Sequence, residues 1–131
     1  MAVIYESLAP DVALLRWHGT LTGLEVVEAV AEAYRHARRA GQRGLVVVLD
    51  LDEVVRLPYD VSALRRMFVV APILSGVVLM NNTEVGTVLA RTLKPAKSNP
   101  PTEVVLAESY DQMLDIAHGM LHHPIARRNA S

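Results

Sequence analysis

At 131 residues, 51% of them apolar, with mean hydropathy +0.24 and formal net charge −1, the chain suits about one domain that buries a core without covalent staples. It holds no cysteine, which excludes a disulfide framework, a thiolate zinc site and a cysteine nucleophile. The near-neutral charge offers no global attraction to nucleic acid, and the apolar excess predicts a sheet buried on both faces, an apolar patch kept for a partner, or both.

The opening stretch MAVIYESLAPD lacks the basic-then-apolar plan of a signal peptide. Residues 2–7 (AVIYES) and 12–18 (VALLRWH) read as short strands, and Pro10-Asp11 between them is turn chemistry, so a hairpin is predicted. Residues 19–41 predict the clearest helix. Thr22 and Glu25 form a T-x-x-E capping box, Leu24, Val27, Ala31 and Tyr34 make the apolar stripe, and Gly41 supplies the C-terminal glycine. Glutamates fill its first half and arginines its second, as the helix dipole favours.

LVVVLDL (45–51) is apolar and β-branched enough to predict a strand covered on both faces. A short helix around Ser62 to Val69 follows, capped by Asp60 or Ser62. GVVLM (76–80) is the next buried strand. NNTEVGTVLARTL (81–93) is a helix capped by Asn82 or Thr83, with Val85, Val88 and Leu89 inward. A Pro- and Lys-rich loop (94–102) leads to the strand EVVLA (103–107). Ser109 and Gln112 then open a last helix with Tyr110, Met113, Leu114 and Ala117 on one face, and the chain closes on a tail from Pro124. The uncharged run Met67 to Thr83 is too short and too interrupted to span a bilayer. The expectation is one α/β domain over residues 1–123 with a tail at 124–131, cytoplasmic and without membrane insertion. Its order ββαβαβαβα requires a mixed, mostly parallel sheet with an N-terminal hairpin and about four helices.

Two resemblances compete for function. VVVLDLDEV, with Asp50 and Asp52, resembles the first motif of the haloacid-dehalogenase phosphatases. That implies Asp50 as nucleophile and Asp52 as acid and base beside Mg²⁺. The stretch between Asp50 and Thr83 must then hold a loop, a helix and a strand, leaving little chain for that family's flap, and the acidic cluster at Glu108 and Asp111 lacks its paired Asp.

Taken whole, residues 2–121 resemble the STAS domain of sulfate transporters and anti-sigma-factor antagonists. VALLRWHGTLT is similar to its second strand, GLVVVLDLDEV to its central strand, DVSAL (60–64) to the D-S-S-G-L opening its next helix, and GVVLMNNTEVGTVLARTL to its fourth strand and following helix. AESYDQMLDIA resembles its acidic last helix. The resemblance implies a STAS-like α/β fold and a non-catalytic regulatory module with no cofactor, no metal and no nucleic acid. It would bind a protein partner, a kinase or anti-sigma-like protein or another signalling protein, through Asp50, Asp52, Tyr59, Asp60, Val61, Ser62, Arg65, Asn81 and Asn82. The family's phosphorylated serine aligns with Val61, Ser62 lies beside it, and an ungapped alignment puts Tyr59 there, so Ser62 is the one candidate phosphorylation site and otherwise a helix cap. A haloacid-dehalogenase-like phosphohydrolase and a carrier of a small apolar ligand are the alternatives.

Other features read structurally. The basic run YRHARRAGQR is a solvated helix end, and His118 and His122, spaced i, i+4, suit a helix C-terminus better than a zinc site. Trp17 covers a sheet face. MFVVAPIL (67–74) is a core-facing helix end that offers a surface for homodimerisation if it faces solvent.

Overall fold

The structure, a computed structural model, describes residues 3–19, 22–54, 60–93 and 102–122. Tyr59, most of the Pro- and Lys-rich loop and the expected tail lie outside the described residues. Strands β1 (Val3–Ala9) and β2 (Val12–His18) form the hairpin, and helix α1 (Gly23–Arg39) leads to β3 (Leu45–Glu53). A 3₁₀ segment (Val61–Arg66) runs into α2 (Met67–Val70). Strand β4 (Leu74–Met80), α3 (Thr83–Leu93), β5 (Glu103–Ala107) and α4 (Tyr110–His122) complete the order ββαβαβαβα. Among the described residues no helix is long and apolar enough to cross a membrane.

The sheet is ordered β1-β2-β3-β4-β5, with β1 antiparallel to β2 and every later pair parallel. Each crossover therefore steps the same way across the sheet. Because such connections are right-handed, the crossover helices must share one face. They do: α1, the 3₁₀ segment with α2, and α3 pack on the face of Ala13, Leu15, Trp17, Val47, Leu49 and Val77. Only α4, which follows the last strand, is free to cover the other face, where Met113, Ala117 and Met120 meet Val46, Val48 and Val78.

Strand β3 has Leu45 to Leu49 buried on both faces, as its unbroken apolar run requires. Each such side chain stabilises the fold by about 1.5–3 kcal/mol relative to exposure. Helix α1 opens with the expected Thr22 cap, whose hydroxyl accepts from the Glu25 amide and donates to the Glu25 carboxylate. It closes where Gly41 turns left-handed at φ 75°, with the Gln42 amide bonded to the Ala37 carbonyl and the Gly41 amide to that of Arg38. That is a Schellman motif.

The buried helix faces correct the expected stripes. Val26, Val30, Ala33 and Ala37 line the core side of α1 along with Val27, whereas Leu24 is exposed. Small alanines let the helix settle close to the sheet. Val88 likewise faces solvent while Val85, Gly86 and Leu89 turn inward, and Tyr110 and Leu114 are exposed while Met120 joins Met113 and Ala117.

Helix α4 sits close on β4 because Gly76 lacks a side chain: a Cβ there would lie 2.1 Å from the Met120 sulfur. Gly76→Ala is expected to push Met120 aside and to lower unfolding free energy by about 1–3 kcal/mol, measured by urea denaturation. Adding Met120→Ala should make the pair of changes less costly than the sum of the two alone.

Candidate functional site: the carboxyl-end rim of the sheet

One helix cannot cover five strands, and among the described residues the α4 face is open toward the carboxyl ends of β2 and β3. The register brings Ile4, Arg16, Asp50 and Met80 into one row across β1 to β4. Alternation places Arg16 on the same face as Leu14, and there its guanidinium lies 3.5 Å from Glu6 and 3.9 Å from Asp50. Ile4, Arg16, Trp17, Asp50, Asp52 and Glu53 line a depression of about 480 Å³. The sequence signal for Arg16 was a lone cation inside an apolar strand, and its importance emerges only once Glu6 and Asp50 are aligned beside it.

Asp50 is partly buried, and both of its oxygens have protein neighbours. Its Oδ1 accepts from the Asp52 amide at 3.1 Å and from Asn81 Nδ2 at 2.9 Å, while Oδ2 faces Arg16. Asn81 reaches it from the end of β4, where the chain takes a left-handed turn at φ 73°, a conformation asparagine tolerates. Asp52 is exposed at the rim of the depression. The two aspartates are thus adjacent in the fold but unlike in setting: one is held by three neighbours, the other meets solvent. Among the described residues no three His, Asp or Glu side chains converge as metal ligands.

The next residue of the rim does a job its sequence position does not suggest. Asp60 stands at the start of the 3₁₀ segment, yet neither it nor Ser62 caps that segment with its side chain, contrary to the expectation. The Asp60 carboxylate instead caps α1: Oδ1 accepts from the Gly23 amide at 2.7 Å and Oδ2 from the Leu24 amide at 3.4 Å. Negative charge at the positive end of a 17-residue helix is favourable, and it satisfies two amides with no partner in their own helix. Gly23 permits the approach, since a Cβ there would lie 2.6 Å from the Asp60 carbonyl oxygen.

Asn82 joins two more elements. Its Oδ1 accepts from the Val85 amide at 3.1 Å, making it the cap of α3 in place of Thr83, and its Nδ2 donates to the Val54 carbonyl at 3.3 Å. Arg65 Nε donates to the Thr92 carbonyl at 2.7 Å, placing a cation at the negative end of α3. Val61 packs partly buried against the core. Ser62 is exposed and faces outward with Arg65, Arg66 and Val69, the last 77% exposed. Met67 and Leu64 turn the opposite side into the core. His118 and His122 pack their rings together on α4 with centroids 4.3 Å apart, away from these residues in the sequence and on another element.

Removal of the cross-chain cap should be visible locally. Asp60→Ala is expected to cost about 1–2 kcal/mol and to speed hydrogen exchange at the first turn of α1, read by NMR. Asp60→Asn keeps one acceptor and should lose less than half as much.

The chain matches no family model, no curated protein and no solved structure in the three comparisons.

Proposed function

We propose that the chain is a non-catalytic regulatory module that docks a protein partner through the 3₁₀ segment, α2 and the adjoining rim. The observation that carries this reading is the outward strip Ser62, Arg65, Arg66 and Val69, with an aliphatic side chain 77% exposed beside two arginines. An apolar centre flanked by guanidinium groups suits a partner surface with an apolar anchor and acidic neighbours. The strip lies on the element that, in the STAS resemblance, meets the partner. Its mount is firm: Leu64 and Met67 anchor it in the core, Arg65 ties it to α3, and Asp60 ties it to α1.

The sheet topology favours the same reading. In open α/β sheets, ligand crevices form where the strand order reverses, and the sequential order of these five strands contains no reversal. The rival phosphohydrolase needs Asp50 as a nucleophile with a divalent cation beside it. Here Oδ1 accepts from both the Asp52 amide and Asn81, and the Arg16 guanidinium lies 3.9 Å from Oδ2. A guanidinium on that side competes with a divalent cation for the same oxygen, and the two bonds to the other oxygen tie the carboxylate to the end of the sheet.

Phosphorylation of Ser62 would add almost two negative charges between Arg65 and the start of the 3₁₀ segment, altering the strip's charge without disturbing the core. Ser62 is exposed, as a kinase substrate must be.

Two measurements test the proposal together. Photo-crosslinking from position 66 in the protein's own cells should yield a defined partner band, lost in Val69→Glu while the melting temperature stays unchanged. p-Nitrophenyl phosphate with Mg²⁺ should show no turnover that Asp50→Asn abolishes. A robust activity removed by Asp50→Asn overturns the proposal in favour of the phosphohydrolase.

A further inference from the structure

Strand β1 is an edge of the sheet: among the described strands it pairs with β2 alone. Its residues Ile4 to Ser7 are exposed, including the large apolar side chains of Ile4 and Tyr5. Proteins ordinarily blunt such an edge with lysine, proline or a covering element. The only charge on β1 is Glu6, and it faces Arg16 of its own sheet. Beside the edge, between β1 and the flank of α1, runs a groove of about 530 Å³ whose lining includes Val3, Tyr5, Glu25, Glu28, Ala29 and Glu32.

Charge along that flank is divided by position. Glu25, Glu28 and Glu32 occupy the first part of α1, and Arg35, His36 and Arg39 the last. In the middle the charges satisfy one another. Arg35 hydrogen-bonds Glu32 and, with His36 3.5 Å away, holds its carboxyl below the usual carboxylate range. At the two ends pairing is weaker: among the described residues neither Glu28 nor Arg39 has an ion-pair contact, and Arg39 acts on Glu32 only as the last and smallest of the charges that lower its carboxyl.

We infer that a second copy of this chain docks on the β1 edge, its β1 antiparallel to the first, to make one sheet continuous across a two-fold axis. The argument is self-complementarity. A two-fold at the edge reverses α1 in the partner, so an acidic end meets a basic end at both places. Tyr5 marks the middle, because its ring stacks on His36 at 5.7 Å while it lines the groove with Glu32. Glu28 lies one helical turn before Glu32, and Arg39 lies about one turn after His36. Rotation therefore sets Glu28 of each copy beside Arg39 of the other, and places the partner's exposed Tyr5 over the groove. A basic extended peptide fits worse, since it would satisfy Glu28 at one end and be repelled by Arg39 at the other. The docking face is distinct from the strip on the 3₁₀ segment and α2, and the inference does not rest on that reading.

Sedimentation velocity of the full chain over a concentration series tests it. The wild type should pass from monomer to dimer in the micromolar range, and Glu28→Arg or Arg39→Glu should each raise the dissociation constant about tenfold. The double change Glu28→Arg with Arg39→Glu should restore association, because the swapped charges meet again across the axis. Circular dichroism of each variant separates lost pairing from lost folding, and rescue by the double change does so independently. A wild type that stays monomeric at hundreds of micromolar, or a dimer indifferent to all three variants, overturns the inference. So does a monomer that instead takes up an Arg-rich extended peptide at this edge.

Discussion

Burial of β3 on both faces is the constraint from which the remaining architecture follows. A strand with Leu45, Val47 and Leu49 on one side and Val46 and Val48 on the other has no face to give to water. Two helical layers are then obligatory, yet the uniform direction of the crossovers assigns three helical connections to one layer and, among the described residues, leaves the other to α4. The imbalance decides where polar groups can reside. They gather where α4 does not reach, at the carboxyl ends of β2 and β3 and along the hairpin.

At that rim, carboxylates and amides act as fasteners between elements. Asp50 holds the end of β3 to the turn after β4 through Asn81, Asn82 holds Val54 to α3, and Asp60 holds the start of the 3₁₀ segment to α1. Each bond contributes modestly, about 0.5–1.5 kcal/mol for a neutral pair and more for those involving carboxylates. Their shared effect is positional: the 3₁₀ segment is held to α1, and the end of β3 to the turn after β4 and to α3. Such a rim is a fitting base for a recognition surface, because a preordered surface spends less of its binding free energy on ordering itself. The docking strip of the proposed function projects from this base, and the β1 edge lies on another side of the molecule, so one copy could hold a partner and a second copy at once.

What the sequence disclosed divides along the line between local and distant causes. The hairpin, the two-faced β3, the Thr22 cap and the Gly41 stop were legible because each depends on a few consecutive residues. The inward face of α1 was legible only in part. Val27 is buried and Tyr34 packs against the core as expected, but Leu24 is exposed and the row Val26, Val30, Ala33 and Ala37, chosen by how close the sheet lies, carries most of the contact. Asp60 shows the same limit at the rim. Its acceptor role spans 37 residues of chain, and nothing beside it distinguishes a cap for its own segment from a cap for α1. Arg16 was not singled out in the sequence at all, since its partners sit on two different strands. The order ββαβαβαβα, read from the alternation of apolar periods and turn residues, is the observed one, while the surroundings of Asp50, on which the choice between a reaction centre and a docking rim turns, are specified by no spacing.

The most direct test of that choice is an NMR titration of the protein with Mg²⁺, following the side-chain carboxyl carbons of Asp50 and Asp52. If Asp50 is a fastener already satisfied by Asn81, the Asp52 amide and Arg16, its resonance should stay fixed to millimolar Mg²⁺ and Asp52 should show no more than weak, unsaturated drift. Saturable, concerted shifts of both carboxyl carbons, at one common affinity, would contradict the account.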